Sequence, residues 1–476
     1  MDRSDFGVLV GHYKRGRLSR RELIFWLAAL AAARRVSAQS ASSFEGAEMN
    51  WDVKYFPGYW AGRRLAYPDV PKEHPKFAQS IVVGNLIFVS GCTGQDVITG
   101  SPAPESVEDQ VRVALENARL AMETAGSSME NIVKTFFLVR SLDDYPQIRK
   151  TETEYYLEHA PYLVKTPPAA TLMVVPSLAR PEFQVEYEII GVVDRNAPEW
   201  CVKYYPEYWG GRELAYPHVP IEHAKFARTQ VVGDLVILSG CQALDHDSVR
   251  VETMDFCEQT RIVLEKLRTG MEETGGSMSS LLKTTVFLKD PNHVQQYREV
   301  ERAYFQQHAP DLANNPPAST VVIVSELPRP EFLIEVEAFG VVDKQAPNWV
   351  RKHYPGNEAV ASGVSAGNLL FLSGCDGSNP ETNEVETDSV EQQIILALDK
   401  VKAGLEGGGS SMDKVVKTLM MLRYLEDYPK MRKTELEYYE KHAPRLVSDP
   451  PVSTFVQLPH ITSPKALFQI DVTAVL

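Results

Sequence analysis

The stretch His159–Val175, HAPYLVKTPPAATLMVV, reads as a helix end, a proline-bounded loop and an apolar strand. Near-copies begin at His308 (HAPDLANNPPASTVVIV) and His442 (HAPRLVSDPPVSTFVQL). An imidazolium at a helix C-terminus complements the dipole and can bond the free carbonyls, so the three histidines read as helix-ending residues rather than catalysts. The proline pair cannot continue a helix and directs the chain into the following strand. Cys92 to Cys241 is 149 residues and so is Pro168 to Pro317, while Cys241 to Cys375 and Pro317 to Pro451 are both 134. Solenoid repeats run about 20–50 residues, so each copy here is a small domain instead. A chain of 476 residues also fits about three domains.

Trp51, Trp200 and Trp349 open the copies, and DRNAPEW and DKQAPNW mark the two junctions. The domain reading is therefore repeats at 51–199, 200–348 and 349–476. Within the first, SIVVGNLIFVSG is two β runs around Gly84-Asn85, a pair that tolerates positive φ. Ser106 caps a helix with Val107, Val111, Ala114, Ala118, Ala121 and Ala125 on one face, and Gly126 closes it. IVKTFFLV is a strand, DDYPQIRKTETEYYLEHA a second helix, and TLMVV and FQVEYEIIGVV two more strands. One sheet with two helices on one face is an α+β layer sandwich. The opposite sheet face is also apolar and needs a cover, which two sister repeats supply most simply. The expected assembly is an intramolecular pseudo-trimer, equivalent to a fused cyclic trimer.

The apolar and charged fractions, 44% and 24%, are those of a globular chain, and the formal net charge is −14. That acidity argues against nucleic acid or an anionic membrane surface as partner, since both require basic patches. Residues 1–38 run the other way. A basic start, Arg20-Arg21, an apolar run from Leu23 to Ala33 and the small-residue site Val36-Ser37-Ala38 have the layout of a cleavable export signal of twin-arginine type. The run is too short for a membrane anchor. Residues 39–50 then form a linker, and the expected location is the bacterial periplasm. An amphipathic N-terminal helix or a mitochondrial-type presequence is the alternative. Cys92, Cys241 and Cys375 follow Ser-Gly in equivalent places and read as small buried hydrophobes at strand ends. No metal-ligand spacing, Gly-rich phosphate loop or Ser-His-Asp order stands out.

VVGNLIFVSG, the Gln110 helix VEDQVRVALENARLAMETAGSSMENIVKTFFLV, the HAP…PPAAT loop and VEYEIIGVV together resemble the Rid family (RidA/YjgF, enamine/imine deaminases). The resemblance covers 77–193, 226–342 and 360–475. It implies chorismate-mutase-like β-β-α-β-α-β units, trimers, small carboxylates bound in clefts between neighbours, and no cofactor. The family's essential arginine, in a Pro-Ala-Arg-Ser motif, forks onto the substrate carboxylate. Ala170, Ser319 and Ser453 stand at the equivalent positions, followed by Thr171, Thr320 and Thr454. A last-strand acid resembling the family's water-positioning glutamate is read at Glu186 and Glu335, with Asp471 in the third copy. The cleft aromatic is Phe77 and Phe226, replaced by Val360.

With no cation present, a carboxylate facing a carboxylate substrate is repulsive. Arg-dependent deamination is therefore expected to be lost unless another cation has moved in. Arg140, Lys289 and Arg423, aligned after the third strand, are candidate ligand-binding cations, although loop charges are usually only solvated. The extensions YWAGRRLAYPDVP and YWGGRELAYPHVP, with Arg63 and Arg212, are a lid or a wrapping arm in the first two copies. Lys134, Lys283 and Lys417 recur at a strand start. The favoured reading is a monomeric pseudo-trimer holding a small organic ligand in inter-repeat clefts. The alternative is an active deaminase or hydrolase whose last-strand acids position water.

Overall fold

Each repeat opens with a hairpin whose turn residue has positive φ: Gly84 at 61°, Gly233 at 61° and Gly367 at 58°. The computed structural model describes residues 49–60, 63–64, 77–99, 103–209, 212–213, 226–245, 248, 250–356 and 360–476. The leader at 1–38, nearly all of the 39–50 linker and most of both aromatic extensions lie outside these residues. Repeat 1 comprises β1 (Val53–Pro57), β2 (Ala78–Val83), β3 (Leu86–Thr93), α1 (Val107–Thr124), β4 (Ile132–Val139), α2 (Tyr145–His159), β5 (Ala169–Val174) and β6 (Val185–Val192). Repeat 2 comprises β7 (Val202–Pro206), β8 (Ala227–Val232), β9 (Leu235–Gln242), α3 (Phe256–Glu273), β10 (Leu281–Leu288), α4 (His293–His308), β11 (Ala318–Ile323) and β12 (Ile334–Val341). Repeat 3 comprises β13 (Lys352–Tyr354), β14 (Gly363–Ala366), β15 (Leu369–Leu372), β16 (Cys375–Asp376), α5 (Val390–Gly407), β17 (Val415–Leu422), α6 (Tyr428–His442), β18 (Val452–Gln457) and β19 (Phe468–Val475).

The first helix starts where its chemistry dictates. Ser106 accepts a hydrogen bond from the Asp109 N–H, and Gly126 lies past the C-cap at φ 83°. Pro146 is tolerated because it falls in the first turn of α2. In each repeat the hairpin, last strand, third strand and fourth strand lie side by side, so β3 pairs β6, β6 pairs β4, and β4 runs parallel to β5. These are three tandem chorismate-mutase-like α+β units.

Strand alternation sorts the two faces of each sheet. On β4, Phe137 and Val139 face the helices, where they join Val111, Leu115 and Ile148 in a core of repeat 1. Phe136 and Leu138 point the other way and meet Phe287 of repeat 2 and Leu419 of repeat 3 in a second core built from all three copies. The sister repeats are thus the cover for the second face. Trp51, Trp200 and Trp349, one per repeat, meet edge to face with ring centroids 4.8, 5.0 and 5.6 Å apart.

The junctions repeat atom for atom around the ring. Ala227, Ala361 and Ala78 donate their N–H to the carbonyls of Pro168, Pro317 and Pro451 of the preceding repeat at 3.0, 3.4 and 3.0 Å. The serines of the Ser-Gly motif lock the next residue but one. Ser239, Ser373 and Ser90 accept from the N–H of Ala170, Ser319 and Ser453 at 2.8, 2.9 and 2.9 Å. Each of these hydroxyls donates onward to Ala227, Ala361 or Ala78 O.

Behind that stitch lie three ion pairs, the first fully buried and the other two nearly so. Lys134 meets Glu337 at 2.6 Å, Lys283 meets Asp471 at 2.5 Å and Lys417 meets Glu188 at 3.0 Å. Every pair crosses from one repeat to the next. The three lysines therefore do more than start a strand. Thr171 and Thr320 add their hydroxyls to the first two pairs. Burial alone would raise the Asp471 carboxyl, but Lys283 and Lys417 together hold it below the usual range. Lys417 in turn is held up by Glu188, Asp471 and Glu337 against its own desolvation, so the pairs form one ring of alternating charge.

Removing one member of a buried pair strands its partner. Lys134→Met is expected to cost about 3–5 kcal/mol in urea unfolding, with most of it recovered by adding Glu337→Gln. A loss below about 1 kcal/mol from the single change would show the ring to be dispensable to the assembly.

Candidate functional site

The resemblance places a cleft at each of the three junctions, beside the stitched residues, and a cavity opens at the one between repeats 1 and 2. Strand alternation separates the neighbours that the sequence places together: Thr171 enters the interface ring, while Ala170 packs with the helix-side core. The three positions read as lacking a cation do not lack one in space. Arg298 of α4 places Nη2 3.0 Å from Ser319 Oγ, and Arg432 of α6 places Nη2 3.3 Å from Ser453 Oγ. Arg149 of α2 lines the same cavity as Ala170. The guanidinium comes from the helix instead of the strand. Each is held by a glutamate three residues on, Glu152, Glu301 or Glu435, at 2.8, 2.8 and 2.9 Å. Each also lies over an aromatic ring, Phe137, Tyr297 or Tyr428, at 4.8, 5.1 and 5.3 Å.

Opposite the arginines stand the last-strand acids of the next repeat. Glu335 lines the cleft between repeats 1 and 2 together with Arg149, Ala170 and Phe226, around a cavity of about 130 Å³. Glu186 occupies the cleft between repeats 3 and 1, where Arg432 acts on it. The Ser-Gly motif makes room for them. A Cβ on Gly91 would fall 1.6 Å from Glu186 Oε1, and one on Gly240 would fall 1.8 Å from Glu335 Oε1. Burial pushes both carboxyls up to about 8; Glu188 adds to this at Glu186, and the Gln242 amide opposes it at Glu335. Both acids are therefore largely protonated at neutral pH, which removes the repulsion expected of a carboxylate there. Glu186 Oε2 is buried and finds no hydrogen-bond partner among the described residues.

The third cleft differs. Strand register sets Glu186 opposite Thr93, Glu335 opposite Gln242, and Gln469 opposite Asp376. The equivalent of the two acids in repeat 3 is thus Gln469. Asp471 stands two residues further on, in the place of Glu188 and Glu337, and serves the interface ring instead of a cleft. Repeat 3 has Val360 where repeat 2 has Phe226, so this cleft lacks both the acid and the aromatic. Phe77 is the half-buried counterpart in repeat 1.

The basic residues singled out as replacement cations are engaged elsewhere. Arg140 binds the carbonyls of Pro176 and Pro181, Lys289 binds Pro330 O at 2.7 Å, and Arg423 binds Pro464 O. They tie strand ends to the loop before the last strand. Thr454, the third member of the hydroxyl set, is buried on β18. The histidines lie tilted against rings of the preceding helical turn: His159 on Tyr155, His308 on Tyr304 and His442 on Tyr438, with centroids 4.3–4.4 Å apart. Burial pushes the thiols of Cys241 and Cys375 up to about 12, so both are neutral. The helix arginines carry a signal in the sequence: Arg149, Arg298 and Arg432 recur at the same steps of 149 and 134 residues, each three residues before a glutamate.

The Endoribonuclease L-PSP family model matches residues 69–193, 218–342 and 354–476. A RutC family protein of Pyrococcus abyssi is 35% identical over 107 residues, 22% of this chain and 78% of that protein. The 2-iminobutanoate/2-iminopropanoate deaminase of Salmonella typhimurium is 30% identical over 130 residues, 27% of this chain and 97% of the enzyme. The crystal structure of a putative endoribonuclease of Thermotoga maritima is 28% identical and covers 28% of this chain and 98% of its own, with a TM-score of 0.23.

Burial of the two acids makes stability depend on pH with a definite sign. The folded chain keeps protons that the unfolded chain loses above about pH 4.5. The stability attached to them is complete below that pH and is lost as pH rises through about 8, at roughly 1.4 kcal/mol per pH unit for each acid. The double variant Glu186→Gln/Glu335→Gln is expected to flatten the fall in urea midpoint between pH 5 and 8. An unchanged slope would show that the acids ionise in place.

Proposed function

The chain belongs to the Rid (RidA/YjgF, Endoribonuclease L-PSP) family, carrying three copies of its domain in tandem, and from that premise we propose that two of its three clefts bind a small carboxylate-bearing imine, enamine or keto acid. The observation that carries this reading is the pairing, across one junction, of a helix-borne guanidinium with a largely protonated glutamic acid: Arg149 with Glu335, and Arg432 with Glu186. A guanidinium carries five N–H donors in a planar fork, more than its glutamate and one hydroxyl take up, which suits it to a ligand carboxylate. The neutral acid opposite leaves that carboxylate unopposed. A volume of about 130 Å³ is some four waters' worth, which limits the ligand between repeats 1 and 2 to a few carbons. The cleft between repeats 2 and 3, with Gln469 and Val360, has a different ligand preference or none.

A second reading, hydrolysis, is favoured by the unpartnered Glu186 oxygen. A protonated glutamic acid can donate to an imine nitrogen or an enamine carbon, and its conjugate base can then take a proton from the water that adds to the former imine carbon. The carbinolamine collapses to a keto acid and ammonia, and the acid regains its proton. The glutamate that holds each arginine lowers its net charge toward the substrate, so weak turnover is the expectation under this reading.

We also infer export of the folded chain, on the layout of residues 1–38. Mass analysis of protein recovered from the periplasm should give an N-terminus after Ala38; an intact Met1 in the mature protein would remove this part of the reading. For the clefts, ligand binding and iminopyruvate hydrolysis are to be measured on protein lacking residues 1–38. Pyruvate is expected to raise Tm, and the double variant Arg149→Met/Arg432→Met should lose at least tenfold in affinity. Hydrolysis that vanishes in Glu186→Gln/Glu335→Gln would establish the enzyme reading. Pyruvate binding that survives loss of both arginines would overturn the site.

A further inference from the structure

Adjoining the cleft between repeats 1 and 2, with Phe226, Gln242 and Leu244 in the shared wall, repeat 2 contains a larger cavity of about 730 Å³, bounded by β8, β9, α3 and the loop after β9. Its wall mixes apolar side chains, among them Phe226, Ile262 and Leu244, with charged ones. Most of the charges already satisfy one another. Arg228 is paired with Glu207 and Glu273, Arg261 with Glu258, and Glu265 with Arg268. Lys266 is the exception: among the described residues it makes neither a hydrogen bond nor an ion pair.

The sister repeats show what this position normally does. Asn117, its counterpart in repeat 1, donates to the carbonyls of Thr93 and Gln95 at 3.0 and 2.7 Å. Lys400, its counterpart in repeat 3, binds Asp376 Oδ1 at 2.7 Å and Ser378 Oγ at 2.8 Å. Repeat 2 keeps the lysine of repeat 3 but has Gln242 where repeat 3 has Asp376, so the carboxylate is missing and the cavity lies in its stead. An ammonium sheltered without a counter-ion is costly, and a ligand carboxylate is the group that completes it. Burial pulls the Lys266 amine below its usual range; Glu207 and Asp245 in the same wall oppose this at a distance, and neither is ion-paired with it.

We propose that this cavity is a second binding site, specific to repeat 2, for a monocarboxylate with an apolar body, whose carboxylate sits on Lys266 as Asp376 sits on Lys400. The apolar wall takes the body of the ligand. The cavity is over five times the volume of the neighbouring cleft, so it accepts acids too large for that cleft. The site does not depend on the cleft reading, because it uses neither Arg149 nor Glu335.

The probe is 4-phenylbutanoate, with 4-phenylbutanamide as its uncharged isostere, titrated by calorimetry into protein lacking residues 1–38. The acid is expected to bind at least tenfold more tightly than the amide. Lys266→Met should abolish that preference, Lys266→Arg should keep most of it, and Arg149→Met should leave it unchanged. Gln242→Asp installs the partner found in repeat 3, and should raise Tm without ligand while removing the response to the acid. Equal binding of acid and amide, retention of the preference in Lys266→Met, its loss in Arg149→Met, or no binding of the acid would overturn the site.

Discussion

The ring of Lys134, Lys283 and Lys417 with Glu337, Asp471 and Glu188 is the constraint on which the rest of the molecule depends. Each buried charge has its counter-charge on the next repeat, so no repeat can bury its own ring members alone. Hydrophobic contact among Phe136, Phe287 and Leu419 holds the three sheets together but allows sliding; directional ion pairs and the serine stitch fix the register. The clefts inherit that precision. An arginine on one repeat faces an acid on the next because the strands between them are pinned to within a hydrogen bond.

Fusion into one chain lets the copies diverge while the junctions stay alike. In a trimer of identical subunits every cleft would carry the same residues. Here the stitch and the ring are kept at all three junctions, yet the cleft acid is Glu335, Gln469 and Glu186 in turn. The position on the first helix is Asn117, Lys266 and Lys400, with three different outcomes for its hydrogen bonds. Scaffold positions carry symmetry, and site positions carry the differences.

Much of this was legible in the chain. The caps, the Gly84-Asn85 turn and the apolar periodicities are local properties, and they appear where local chemistry puts them. The recurrence of the proline loop implied three equal domains and a covered second sheet face. The Lys and Thr positions recurred too, but their carboxylate partners lie about 150 to 230 residues away, which a reading of neighbours cannot reach. Arg140 and Arg149 illustrate the limit. Both are basic and both recur in all three copies, and only the fold turns one toward proline carbonyls and the other into a cleft.

The sequence by itself determined the repeat, the elements of each unit and the absence of an arginine at Ala170, Ser319 and Ser453, because those are facts of pattern and identity. The tertiary structure alone decided that a guanidinium nevertheless fills that space. A helix and a strand separated by some twenty residues come together there, and burial, which no residue carries with it, makes Glu186 and Glu335 acids that hold their protons at neutral pH.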